Sequence, residues 1–169
     1  MLRDIYDNLL FDLDGTLTDS KPGLVNAIEF AVRKMGLAPL PQAVVEKFLG
    51  PPLFGSFEKH CGMDRETARI AVSYFREYYA DRGIFENEPY EGIPELLGRL
   101  KAAGKRRFVS TSKPPVSALQ VCAHFGIDGY FAEILGSEMD GSIIEKSDIV
   151  GILISRHALG RRESLMIGD

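Results

Sequence analysis

From Tyr90 to the end of the chain, apolar clusters switch between helical spacing and short strand-like runs, an alternation that limits the possible folds severely. The spacing predicts helices over residues 95–103, 115–125 and 147–157, the first two closed by Gly104 and Gly126, and strands over 107–111, 130–135 and 164–167. Leu9, Leu10 and Phe11 add a strand near the start. Strands separated by helices of this length form a parallel α/β sheet with right-handed crossovers. Sites in such sheets lie at the carboxyl ends of the strands, where Asp12, Thr111 and Asp169 all fall.

The first strand ends in Asp12-Leu13-Asp14-Gly15-Thr16. Side chains alternate along a strand, so Asp12 and Asp14 leave it on one face, and Gly15 lets the backbone turn beside them. One carboxylate can attack while the other handles a proton. The plainer alternative is a polar strand end closed by a glycine turn.

Between this strand and residue 88 the pattern is helical. Helices are predicted over 22–36, 42–49, 53–60 and 64–82, with Ser20 placed to cap the first and Pro22 suited to its opening turn. The chain therefore divides into a discontinuous core, 1–17 and 88–169, and an inserted helical segment, 18–87. With 169 residues, 45% of them hydrophobic, it can bury a sizeable core. No apolar run approaches a membrane span and no basic-then-apolar leader opens the chain, so a cytoplasmic protein without a membrane partner is expected. Cys61 and Cys122 lie far apart in helical patterns and read as reduced thiols. A formal charge of −4 argues against a nucleic-acid polymer as partner. His60, His124 and His157 stand alone and read as packing or surface residues.

Asp12-Leu13-Asp14-Gly15-Thr16 resembles the first signature of the haloacid dehalogenase superfamily. Three further runs are similar to its later signatures, in order: residues 108–113 ending in Thr111-Ser112-Lys113, Lys146 near a helix start after the run 136–141, and residues 165–169 ending in Gly168-Asp169. Gly50-Pro51-Pro52-Leu53 and Thr111-Ser112-Lys113-Pro114 look most like the phosphoglycolate phosphatase or 5′-nucleotidase subgroup. The resemblance implies a Rossmann-like core with an inserted helical cap and a magnesium-dependent phosphatase for a small organic phosphate monoester. It implies Asp12 as nucleophile, Asp14 as general acid, and Thr111 and Lys146 as the remaining catalytic groups. Leu13, Ser112 and Lys113 are expected near the substrate. Mg²⁺ is expected on the Asp12 carboxylate, the Asp14 backbone carbonyl and Asp169. Dehalogenases lack an acid at the position of Asp14, so its presence favours phosphate esters.

The fourth signature usually continues with a second acid, so the resemblance implies a chain truncated at Asp169, a weakened metal site in this polypeptide, and a monomer or homodimer. Two alternatives stay open: a phosphomutase of the β-phosphoglucomutase type, and a catalytically impaired binding module.

Overall fold

The computed structural model describes residues 5–137 and 146–168. The chain forms two compact units, residues 1–19 with 88–169 and residues 20–87.

The first unit is built on a four-stranded parallel sheet. Strands β1 (Asn8–Phe11), β4 (Arg106–Ser110), β5 (Glu133–Leu135) and β6 (Ser164–Ile167) stand in the order β5-β4-β1-β6. Leu10 is level with Phe108 of β4 and Met166 of β6. All four β1 residues, the polar Asn8 and the apolar Leu9, Leu10 and Phe11, are buried, as a strand in the middle of a parallel sheet covered on both faces must be. Leu10 and Phe108 pack with Ile149 and Leu153 of helix α7 (Lys146–Arg156) on one face. Leu9 points the other way, into a groove shared with Leu96 and Leu100 of α5 (Ile93–Ala102). Helix α6 (Pro115–His124) buries Ala118, Val121 and Cys122.

Several boundaries differ from the sequence reading, two of them in this unit for a visible reason. Strand β5 starts at Glu133, not 130, because the chain after Gly126 makes a 3₁₀ turn, Asp128–Tyr130, in which Tyr130 and Phe131 give their N–H groups to Ile127 and Asp128 carbonyls. Residues 18 and 19, expected in the helical segment, instead belong to this first unit. There β2 (Thr18–Asp19) pairs antiparallel with β3 (Glu88–Pro89). The cause is the turn at Gly15, whose backbone adopts φ +79° and whose N–H donates to the Thr18 carbonyl at 2.8 Å.

The second unit is helical: α1 (Lys21–Lys34), α2 (Gln42–Val45) running into a 3₁₀ turn at Glu46–Phe48, α3 (Leu53–Cys61) and α4 (Arg65–Tyr78). Its core gathers Ile28, Val32, Phe48, Phe57 and Phe75, with Phe48 and Phe57 edge to face at 5.0 Å. Ser20 does not cap α1 through its side chain, contrary to expectation. Its backbone is already helical, and the Gly23 N–H is taken by the Glu86 carbonyl at 2.8 Å. The predicted continuous helix 64–82 also changes character, passing after Tyr78 into a π-helical turn, Tyr79–Gly83. Gly83 lies against α1 there; a Cβ at Gly23 would come within 1.9 Å of its carbonyl oxygen. No described helix is long and apolar enough to cross a membrane.

Candidate active site

Because the sheet is parallel, the residues following β1 and β4 emerge at one edge, and the ladder continues just far enough to fix them. Asp12 N–H donates to the Ile167 carbonyl at 2.9 Å, and Thr111 N–H to the Leu135 carbonyl at 3.1 Å. Both residues are buried, and both side chains therefore start from backbone that cannot drift.

Asp12 uses both carboxylate oxygens. Its Oδ1 accepts from the Leu13 N–H at 2.8 Å, and its Oδ2 is paired with the Lys146 ammonium. Lys146 is the first residue of α7, 134 positions away in sequence, so the sheet and helix together make this contact. Gly168 sits beside the pair: a Cβ there would stand 3.4 Å from Asp12 Cβ and 3.6 Å from Lys146 Nζ.

Asp14 stands on the loop just beyond. Its Oδ2 faces Lys113 Nζ at 3.1 Å, while its Oδ1 is buried with no hydrogen-bond partner among the described residues. Thr111 Oγ1 accepts from the Lys113 N–H at 3.2 Å. A hydroxyl held as acceptor on one side keeps its proton available to donate elsewhere.

The structure thus brings Asp12 together with Lys146, Asp14 with Lys113, and Thr111 with Lys113, all within the first unit. Ser112 is exposed. Leu13, expected at the substrate, has a fully buried side chain. Its N–H goes to Asp12, and its carbonyl accepts from Thr16, Leu17 and Thr18. Leu13 is therefore an anchor for the acidic loop. Asp169 and the run 138–141 lie outside the described residues. Sequence reasoning missed Gly136: a Cβ on it would fall 2.1 Å from the Lys113 carbonyl. Its place directly after a strand that ends at the site edge was the available signal.

Among the described residues no three acidic, histidine or cysteine side chains gather as a metal cluster. The expected donors among the described residues, the Asp12 carboxylate and the Asp14 backbone carbonyl, are hard oxygens of the kind Mg²⁺ takes, so the chemistry of the set fits that ion. Cys122, buried under α6, has its thiol pushed up to about 12, first by burial and then by the charges of Asp128 and Asp14, which makes it inert at neutral pH.

The parallel α/β sheet thus carries two acids on the loop after its inner strand β1, each matched by a lysine, an arrangement suited to handling an anionic group. Residues 9–169 match the model of the haloacid dehalogenase-like hydrolase family, and the chain belongs to that family. It is similar to a Pseudomonas aeruginosa 5′-nucleotidase, 41% identical over 164 residues, covering 97% of this chain and 74% of that protein. It is also 36% identical to the tyrosine-protein kinase PtkA of Mycobacterium tuberculosis over 95% of this chain and 55% of that one. A phosphoglycolate phosphatase of Neisseria gonorrhoeae is 32% identical, over 94% of this chain and 70% of that one. Among solved structures, a Clostridium difficile protein assigned to the phosphatases superposes with a TM-score of 0.92 at 37% identity, covering 98% of this chain and 77% of that one. The chain is an enzyme of the family's phosphatase kind.

Proposed function

We propose that this protein hydrolyses a small organic phosphate monoester, of the phosphoglycolate or nucleoside monophosphate class, through a phosphoryl group carried on Asp12. The observation that supports this best is the pairing of Asp12 with Lys146 at the buried carboxyl edge of β1. A carboxylate held on one oxygen by a backbone N–H and on the other by an ammonium is aimed and charge-balanced for attack on an anionic centre. Asp12 attacks phosphorus as the ester oxygen leaves. Asp14 protonates that oxygen, then takes a proton from the water that cleaves the acyl phosphate. The Thr111 hydroxyl donates to a phosphate oxygen, and Lys146 offsets charge on Asp12 and on the transferring group. The Asp12 carboxylate, the Asp14 backbone carbonyl and Asp169 would hold Mg²⁺, which would supply further charge neutralisation. The helical second unit, inserted in sequence between β1 and β4, takes the family's cap role in this reading.

The names of the relatives support the substrate class, and the kinase among them supports a second reading in which a hydroxyl, not water, receives the phosphoryl group. Inorganic phosphate release decides between the two. A panel containing phosphoglycolate, nucleoside monophosphates and sugar phosphates, assayed with and without Mg²⁺, should show metal-dependent release for at least one substrate. Asp12→Asn should lower that rate by roughly 10³-fold or more. Phosphate appearing on an acceptor alcohol without release would support transfer instead, and an undiminished Asp12→Asn rate would remove Asp12 as nucleophile.

A further inference from the structure

We propose that Lys113 is the positioning residue of the general acid, not a ligand of the substrate phosphate. The inference deepens the reading above and rests on it.

The two acids of the loop have different cations. Asp12 faces Lys146, and Asp14 faces Lys113 at 3.1 Å. The Lys113 side chain is only 7% exposed, so its ammonium is turned into the protein toward Asp14 and is not offered to solvent. Few lysines are buried to that degree without a partner that needs the charge. The main chain of the same residue does a second task, donating its N–H to Thr111 Oγ1 at 3.2 Å. Lys113 thus sets two of the groups expected to act on the ester, one through its ammonium and one through its amide.

The loop that carries Lys113 is itself held from the neighbouring strand. Ser137 N–H donates to the Lys113 carbonyl at 3.2 Å, and Gly136 lies so close that a Cβ would stand 2.1 Å from that oxygen and 3.0 Å from Pro115 N. Pro114 and Pro115 follow directly and restrict the backbone further. A lysine fixed at its backbone on one side and at its ammonium on the other has little freedom to follow a substrate. It has what is needed to hold a neighbouring carboxylate on target, where misplacement by an ångström is costly.

The two roles predict different kinetics. A phosphate ligand contributes to every substrate alike, whereas a group that aims the general acid matters in proportion to how badly the leaving oxygen needs a proton. The experiment compares Lys113→Met, Lys113→Arg and wild type on an alkyl phosphate and on p-nitrophenyl phosphate, whose leaving group departs without protonation. Inorganic phosphate inhibition is measured alongside.

The expected result is that Lys113→Met loses about 10- to 100-fold in kcat/KM on the alkyl ester, the constant that reports expulsion of the ester oxygen and excludes the later hydrolysis both esters share. In the same constant it should lose less than about 3-fold on the nitrophenyl ester, with phosphate inhibition little changed and with partial rescue in Lys113→Arg. Equal losses in kcat/KM on both esters from a variant that melts like wild type, or weakened phosphate inhibition, would overturn the proposal and make Lys113 a phosphate ligand. A thermal melt of each variant separates a folding defect, which would reduce both esters together. Wild-type protein inactive on every ester of the panel would overturn the hydrolase reading itself, a result distinct from either Lys113 outcome.

Discussion

A methyl group on residue 136 has nowhere to go. The nearest atoms are backbone, the Lys113 carbonyl oxygen, Pro115 N and the Pro114 carbonyl carbon, and none is the flexible end of a side chain. Gly136→Ala should therefore displace the loop after β4, with a cost of about 1–3 kcal/mol for forced overpacking. Chemical denaturation measures the stability, and the alkyl-phosphate rate should fall with it; a variant as stable and as active as wild type would mean that the loop shifts freely. At this scale Asp12 and Asp14 were legible because strand alternation and a glycine turn place them without help from distant residues. Of their cations, Lys146 was expected beside Asp12 only from the resemblance, and the pairing of Asp14 with Lys113 was not foreseen. Lys113 and Lys146 come from the chain after β4 and from the start of α7, and which lysine meets which acid depends on how the sheet is ordered.

Elements were legible where the apolar period was long and a cap lay close by. Asp64 shows this for α4: its carboxylate accepts from the Thr67 N–H at 2.8 Å, in the manner expected of an acid before a helix. That backbone hydrogen bond, first among the causes, holds the Asp64 carboxyl below its ordinary value of 3.8. A carboxyl depressed in the folded state contributes stability above its unfolded pKa, and the contribution is lost as pH falls through the folded one. Asp64→Ala should accordingly speed amide exchange in the first turn of α4 near neutral pH, and the difference from wild type should fade in strong acid. A difference that persisted unchanged below that range would count against the cap. Ser20, the matching expectation for α1, failed because tertiary structure supplied another acceptor for the helix N-terminus, the Glu86 carbonyl. The π turn at Tyr79–Gly83 was equally hidden, since it depends on the approach of Gly83 to Gly23 some sixty residues earlier.

Across the whole molecule the described residues form separate cores. One surrounds Leu10, Phe108, Ile149 and Leu153, and another surrounds Ile28, Phe48, Phe57 and Phe75. The switch from helical to alternating pattern announced this division, because each pattern has its own way of covering apolar surface. Phe57 is wholly buried in the helical core, and Phe57→Ala should cost about 3–5 kcal/mol through lost burial and the cavity left behind. Hydrogen exchange should show α1 and α4 losing protection while β1 and β4 keep theirs. Uniform loss across the chain would instead indicate a single cooperative unit.

Leu13 ties these scales together. Its side chain is sealed from solvent and its carbonyl accepts three successive amides, so the stretch from Asp12 to Thr18 behaves as one rigid piece. Asp12 and Asp14 cannot be moved one at a time: whatever shifts this leucine re-aims both, which leaves an entirely apolar position in command of the carboxylate on either side of it.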